Sequence, residues 1–217
     1  MKKYFAILAA TPVAFGAQAA LAAPLAGPYI GVQGNHDAYE VKAQGLNISG
    51  TSVSADGISG NGKGASIYAG YDLPLAPSAF VGLEAGFDYS GAGISLSAAN
   101  GGNTVGTSIK ARETYSIAAR LGVVVGGSTG LYAKAGYANT RFKASAQQNG
   151  VTQFADSRHH GAFVYGGGIE TGLVQNVSVR AEFTVSDYGS AGLDQDFGVT
   201  GIKVSNSKTS VGISYRF

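Results

Sequence analysis

The stretch "VSVRAEFTVSDY", residues 177–188, alternates between apolar and polar side chains over ten residues. Its apolar positions carry Val, Val, Ala, Phe and Val, and the positions between them carry Ser, Arg, Glu, Thr and Ser. Successive side chains of a β-strand point to opposite faces, so this period of two predicts a strand with one apolar and one polar face. The only charges within the alternation, Arg180 and Glu182, share the polar face.

The same alternation recurs along the chain in about eight runs bounded by Gly, Asn, Asp, Ser and Pro. The connections between runs alternate between long and short, and the short ones are "PLAPS" (74–78), "GGSTG" (126–130) and "VQN" (174–176). This pattern predicts an all-β protein, an eight-stranded antiparallel up-and-down transmembrane β-barrel with short periplasmic turns and long outer loops. The predicted strands span 29–39, 64–73, 79–90, 110–125, 131–143, 160–173, 177–188 and 208–217, and the predicted loops span 40–63, 91–109, 144–159 and 189–207.

The composition of the polar face indicates that this face lies inside the barrel. It consists mostly of Gly, Ser, Thr and Ala with isolated charges of both signs, and small residues suit the crowded interior of a narrow barrel. Only 13% of the chain is charged, against roughly 25% in soluble domains. The apolar face suits lipid, with Tyr and Phe at the membrane interfaces. The lumen is therefore predicted to hold a polar network of Glu84, Arg120, Lys134, Glu170, Arg180 and Glu182.

Two functions are open for this network on sequence grounds. It could be a polar gate that passes water or small solutes. Alternatively, it could be a set of salt bridges that fills a lumen which would otherwise hold unpaired charge. An eight-stranded barrel is just wide enough for side chains to fill its interior, which favours the second interpretation.

The N-terminus has the three parts of a secretory signal peptide. "MKK" is a basic segment, "YFAILAATPVAFG" is apolar, and "AQA" and "ALA" fit the small-residue cleavage pattern. We expect cleavage after Ala22, with Ala19 as the second choice. The chain then divides into a signal peptide, residues 1–22, and one barrel domain, residues 23–217.

Charge and cysteine content exclude several classes of function. Removing Lys2 and Lys3 with the signal peptide leaves 13 of the 15 basic residues, equal in number to the 13 acidic ones. A basic footprint for nucleic acid is therefore missing, and we expect no nucleic-acid partner. The chain has no Cys, which excludes disulfides, thiol catalysis and thiolate metal sites.

The histidines are the remaining candidates for chemistry. His36–Asp37 and the segment "DSRHH" (156–160) fall near the predicted outer ends of two strands. A hydrolase at the rim would need a histidine, an orienting carboxylate and a nucleophile or water within reach, and the sequence brings no such set together. The spacing of the histidines also fits no metal site. We therefore predict no enzymatic activity, no catalytic residue, no metal and no cofactor.

The "GGG" at 166–168 lies inside a predicted strand and lacks the strand–turn–helix context of a nucleotide-binding loop. The simpler interpretation is that these glycines make room for a bulky neighbour in the lumen. Tyr68 and Tyr132 are the candidates for that neighbour.

The order of several short segments resembles a known family. "GPYIGVQGN", "SIYAGYDL", "FVGLEAGFDYS", "SIAARLGVVV", "LYAKAGYANT" and "VSVRAEFTVSDYG" are similar to segments of the small OmpA-like barrels of Gram-negative bacteria. The similarity is greatest to the porin-family outer-membrane β-barrel proteins of alphaproteobacterial type. "ARLG" (119–122), "KAGYA" (134–138) and "RAEF" (180–183) are the most specific segments, and the resemblance covers residues 27–217.

The resemblance implies an outer-membrane location and a structural role in envelope integrity, with exposed surface loops. The alternatives that it leaves open are a narrow, low-conductance porin for water or small solutes, and a surface adhesin or receptor whose loops contact host or phage. It implies outer-membrane lipid and lipopolysaccharide as partners and no catalytic residues. Because residue 217 ends the barrel, we expect no periplasmic peptidoglycan-binding domain and no tether to the cell wall.

The resemblance also implies that the barrel-assembly machinery reads the last strand, "TSVGISYRF" (209–217), as an insertion signal. The outward side chains of this strand and its final aromatic residue would form the signal. They are Val211, Ile213, Tyr215 and Phe217.

Overall fold

The strands found in the structure extend well beyond the predicted runs. The computed structural model describes residues 25–48, 51–100, 103–149, 151–189 and 202–217, so the predicted signal peptide lies outside the described residues. The described residues contain no helix that is long and apolar enough to cross a membrane. The strand segments are β1 (Gly27–Ile48), β2 (Thr51–Ala76), β3 (Ala79–Ser90), β4 (Gly93–Asn100), β5 (Asn103–Val125), β6 (Thr129–Gln148), β7 (Val151–Val174), β8 (Val177–Asp187) and β9 (Ile202–Arg216).

All neighbouring strands are antiparallel, and they close into a ring. β3 and β4 both pair with β5. β3 pairs with residues 113–123 of β5 and β4 pairs with residues 103–110, so the two segments form one strand interrupted at 91–92. The nine segments therefore make an eight-stranded up-and-down barrel, as predicted. The last strand closes the ring by pairing with the first, from Tyr29 opposite Arg216 to Ala43 opposite Ile202.

The three short connections lie at the end of the barrel where the first strand begins, at Gly27, and the last strand ends, at Arg216. They are tight turns at 77–78, 126–128 and 175–176. Gly126 and Gly127 have φ values of 60° and 76°, in the left-handed region that glycine adopts without steric cost. The prediction of three short turns is confirmed, and their periplasmic location stays a prediction.

The prediction of four long, irregular loops is wrong for most of their length. β1 and β2 stay paired as far as Ile48 opposite Thr51, and β6 and β7 stay paired as far as Gln148 opposite Val151. Alternation disappears in these segments because neither face meets lipid, yet the backbone groups still pair across the hairpin. The connections at 40–63, 91–109 and 144–159 are thus long β-hairpins that continue beyond the membrane. Of the connection predicted at 189–207, residues 202–207 belong to β9 and 190–201 lie outside the described residues.

The outward face of the barrel is apolar and exposed. Aromatic side chains lie near both ends of this band, in the positions that interfacial girdles occupy in membrane barrels. Tyr71, Tyr215 and Phe217 lie toward the short turns, and Tyr89, Tyr115, Tyr137 and Phe163 lie toward the hairpins. Aliphatic residues fill the band between them, including Val32, Ile67, Leu83, Ile117, Leu121, Val211 and Ile213.

A β-bulge corrects the predicted orientation of Arg112. Strict alternation along residues 110–125 predicts that Arg112 shares the lumen face with Thr114 and Arg120, but the register between β5 and β6 shifts between Ala111 and Thr114. A bulge re-aims the side chains beside it. Arg112 consequently lies on the outer wall, where its guanidinium donates a hydrogen bond of 2.8 Å to the Tyr89 hydroxyl.

Candidate functional site

The lumen holds all six charged side chains of the predicted polar network. They come from five strands, β3 and β5 to β8, because lumen-facing positions at similar heights meet across a narrow barrel. Five are at least 95% buried as residues, and the sixth, Lys134, has a side chain that is 10% exposed. The six are Glu84, Arg120, Lys134, Glu170, Arg180 and Glu182.

Glu84 is the centre of this cluster. Its carboxylate accepts hydrogen bonds of 2.6 Å from both Arg180 and Lys134. It also accepts bonds of 3.0 Å from the Tyr29 hydroxyl and 3.3 Å from Arg120. One carboxylate therefore accepts hydrogen bonds from groups on four other strands, β1, β5, β6 and β8, and three of these groups are cations.

A second layer of charge lies nearer the short turns. Arg216 contacts Asp72 at 3.2 Å and Glu170 at 3.1 Å, and Arg120 contacts Glu170 at 3.0 Å. Asp72 and Arg216 are absent from the predicted network, although both lie on the lumen side of the alternation in their strands. Their positions in the alternation indicated that both side chains face the lumen. Because both lie close to the end of the barrel, the sequence provided no reason to expect that they form an ion pair with each other.

The complete lumen network is electrically balanced. It comprises four cations and four carboxylates, so the fixed charges can neutralise one another without a counter-ion. Burying a charge is tolerable only when it is paired and hydrogen-bonded. The eight members are Asp72, Glu84, Arg120, Lys134, Glu170, Arg180, Glu182 and Arg216.

Aromatic rings pack against the guanidinium groups of the three buried arginines of the network. The guanidinium carbon of Arg180 lies 3.4 Å from the Tyr68 ring centroid, and that of Arg120 lies 4.0 Å from the Tyr132 ring centroid. The face of an aromatic ring attracts a cation, most strongly where water is excluded. The rings thus replace part of the hydration that the guanidinium groups lose.

Glycines make room for these rings. A Cβ atom at Gly31 would collide with the Tyr68 ring, and a Cβ at Gly168 would lie 2.6 Å from the Tyr132 hydroxyl oxygen. Within the "GGG", only Gly168 faces one of the two tyrosines proposed for it. The partner of Tyr68 is Gly31 in β1.

A separate polar cluster lies above the lumen network, toward the hairpins. The Lys208 ammonium lies 2.7 Å from Asp88, which also accepts hydrogen bonds from Asn35 and Ser66. Asp37 is the next lumen-facing residue of β1 after Asn35, and its carboxylate accepts hydrogen bonds of 2.9 Å from Ser90 and 3.0 Å from Asn206. The charged and hydrogen-bonding side chains therefore continue up the lumen, with neutral donors replacing most of the cations.

Apolar side chains close the lumen at both ends. At the hairpin end, the ring of Phe142 lies 5.3 Å from that of Tyr188 and 6.0 Å from that of Tyr39. At the turn end, Leu25 and Phe80 pack together with Tyr132. The cavity between the two ends measures about 40 Å³, room for about three water molecules at ~10–15 Å³ each.

The structure does not bring the candidate rim histidines together. His36 lies in β1 and His159 in β7, and β8 and β9 separate these strands. His36 points outward while Asp37 points into the lumen, so the two are not a pair. His159 contacts Asn139 at 2.9 Å, and the His160 ring packs on Phe142.

The rest of the "DSRHH" segment forms local contacts at the barrel mouth. Arg158 donates a hydrogen bond of 3.1 Å to Asp156, which lowers the pKa of that exposed carboxyl from its ordinary value. Among the described residues, no group of three or more His, Asp or Glu side chains is arranged to hold a metal ion.

The outward apolar band, the closed ring and the polar lumen together define a transmembrane β-barrel of the outer membrane. The chain belongs to the family described as outer membrane protein beta-barrel domain, whose model matches residues 6–217. It therefore resides in the outer membrane of a Gram-negative bacterium and is surrounded by its lipid. No curated protein matches the chain.

Solved structures of outer-membrane proteins are similar to this barrel. Neisserial surface protein A is 15% identical, with 88% of this chain and 97% of that one covered and a TM-score of 0.50. The outer membrane protease OmpT from Escherichia coli is 9% identical, with the same coverages and TM-score. Ail, the attachment invasion locus protein of Yersinia pestis, is 15% identical, with coverages of 88% and 100% and a TM-score of 0.46. At these identities the similarity concerns the fold.

Proposed function

We propose that the protein is a structural, non-conducting barrel that fills and stabilises the outer membrane, with its hairpins facing outward. One observation carries the proposal: a charge-balanced network fills the lumen between two apolar closures. A channel needs a continuous open space from one end of the lumen to the other, lined by groups that bind a solute weakly enough to release it. Here the cavity has room for about three waters, at ~10–15 Å³ each, and every charge of the network is paired.

Planar-bilayer recordings test the absence of conduction. The refolded protein is expected to give no discrete conductance steps. Arg120→Ala is expected to give none either, because Phe80 and Tyr132 still close the turn end and Phe142 closes the hairpin end. Leu121→Ala, which changes the lipid face of the same strand, is the matched control. Steps in the wild type that Arg120→Ala alters and Leu121→Ala does not would establish a narrow channel instead.

A second candidate function, adhesin or receptor, is supported by the β6–β7 hairpin. Its tip carries two apolar side chains well beyond the lipid-facing band, Val151 at 60% and Phe154 at 57% exposure. Contiguous exposed apolar patches mark sites of protein contact, and we propose that these two side chains contribute to such a patch.

Trimming this hairpin separates the two functions. Ala144 and Asp156 are Cα partners, so a two-residue turn can replace residues 145–155 without disturbing the barrel below. We expect the trimmed protein to restore resistance to detergent in a strain that lacks the protein, as fully as the wild type does. Restored attachment to host cells or phage by the wild type alone would favour the adhesin.

A further inference from the structure

Four basic side chains gather on the outer wall of the barrel, on β5 and β6. They lie on the outward side of the sheet, beyond the row of aromatic residues that includes Tyr115 and Tyr137. We call them the basic patch: Lys110, Arg112, Arg141 and Lys143. Among described side chains, the outward positions at the hairpin end of β8 and β9 carry Asp187, Ser207 and Thr209 and no cation. These two neighbouring strands therefore carry more positive charge than the β8–β9 wall, and Lys63 is a separate exposed cation on β2.

The pairing within the patch is unfavourable for the protein alone. Lys110 and Lys143 are direct Cα partners in the β5–β6 ladder. Like charges placed opposite each other destabilise an antiparallel pair. Both lysines are exposed, and neither forms a salt bridge within the described residues. Placing these two lysines opposite each other thus does not stabilise the protein itself. It leaves two ammonium groups available to bind an external anion.

The two arginines of the patch are held in place. Arg112 lies over the Tyr89 ring, 5.9 Å from its centroid, and donates a hydrogen bond to the hydroxyl of the same residue. Arg141 donates a bond of 3.1 Å to Ser157 and lies 4.0 Å from Glu113. Among the described residues, Glu113 is the carboxylate that pairs with the patch, so the cluster keeps an excess of positive charge.

The height of the patch places it among lipid headgroups. Arg141 and Lys143 lie four and six residues beyond Tyr137, or about 10–16 Å along the barrel axis for a rise of ~3.4 Å and a tilt of ~40°. Long basic side chains bend back toward the interface while their charge stays in the polar layer. Guanidinium and ammonium groups are the donors that bind phosphate most strongly.

We infer that the basic patch binds the phosphate groups of a phosphorylated lipid in the outer leaflet. Lys110 and Lys143 contact the phosphate directly, and Arg112 and Arg141 supply further donors at its edge. The bound lipid relieves the repulsion between the two lysines. This inference rests on the outer-membrane location of the proposed function, but it does not depend on whether the lumen conducts.

The test measures how lipid A changes the unfolding midpoint of the refolded protein in detergent micelles, read from heat-modifiable migration on gels. Phosphorylated lipid A is expected to raise the midpoint, whereas dephosphorylated lipid A and inorganic phosphate leave it unchanged. K110Q/K143Q is expected to need about 30-fold more lipid A for the half-maximal shift of the midpoint. The factor follows because each lysine near an anionic surface contributes to the affinity for it, and this variant loses two. K110R/K143R, which keeps both charges, is expected to behave like the wild type.

Other outcomes would overturn the inference. Equal shifts by both forms of lipid A, or an unchanged requirement in K110Q/K143Q, would remove the phosphate site. An equal shift by soluble heparin would indicate a surface for extracellular polyanions instead of a lipid. A fold defect is checked without lipid, where the K110Q/K143Q midpoint should be equal to that of the wild type or higher. Conductance steps together with an intact lipid A effect would refute the closed lumen and leave the patch standing.

Discussion

Glu84→Gln is expected to lower the free energy of unfolding by about 3–5 kcal/mol, the range found when one partner of a buried ion pair is removed. The amide keeps the size of the side chain but loses the charge that Arg180, Lys134 and Arg120 share. Arg120 and Arg180 are at least 98% buried, so the two guanidinium groups cannot turn to bulk water when the carboxylate is lost. The measurement is urea unfolding of the refolded protein in lipid vesicles.

Glu113→Gln is the matched control for this prediction. Glu113 lies 4.0 Å from Arg141 on the outer wall, with 31% of its side chain exposed. Exposed pairs contribute only about 0–1 kcal/mol, so the control is expected to change little. In a double-mutant cycle, adding Arg180→Met to Glu84→Gln should cost less than the two separate losses predict, since the pair is in contact. Equal destabilisation by Glu84→Gln and Glu113→Gln would refute the central role of Glu84.

Deletion of Phe217 is expected to lower the amount of the protein in the outer membrane about tenfold, if the last strand is read during insertion as the family resemblance implies. The finished barrel should lose little. The Phe217 ring is 68% exposed and packs edge-on against Tyr215, and its backbone contributes one hydrogen bond of 3.1 Å to Pro28. One lipid-facing ring corresponds to about 1.5–3 kcal/mol at most. Quantitative blotting of outer-membrane fractions measures the amount of protein in the membrane. Unfolding of the refolded protein measures the stability of the finished barrel.

Phe183→Ala provides the comparison. Phe183 is an outward phenylalanine of β8 with 52% exposure, so its truncation removes a similar lipid-facing ring at a different place in the chain. We expect this variant to reach normal outer-membrane levels. Equal levels of the two altered proteins would contradict a specific role for the end of the chain in assembly.

Alternation was sufficient to predict the membrane-spanning part of the fold. A residue such as Arg180 between Val179 and Ala181 specifies both a strand and the side of the sheet on which its charge lies. The predicted strands therefore coincide with the lipid-facing part of the barrel. The hairpins beyond it were missed because their two faces meet the same solvent, and no alternation distinguishes a paired polar strand from a loop.

The contacts within the lumen could be predicted only in part. Period-two parity placed Glu84 and Arg120 on the same side of the sheet. Their meeting with Asp72 and Arg216 depends on the stagger of the strands around the ring, which no single strand encodes. The bulge after Ala111 could not be foreseen either, because one unpaired residue leaves the composition of the strand unchanged.

The lumen network also bears on how the barrel reaches its final state. Its members and their hydrogen-bond partners come from all eight strands, and several contacts join residues far apart in the chain, such as Arg180 with Gln33 and Arg216 with Asp72. A sheet that has not yet closed would expose these charges unpaired at its open seam. Incomplete barrels should consequently be short-lived, since docking of the last strand completes the balance. Closure of the ring is thus the step that gives each of the eight charges of the lumen network its partner.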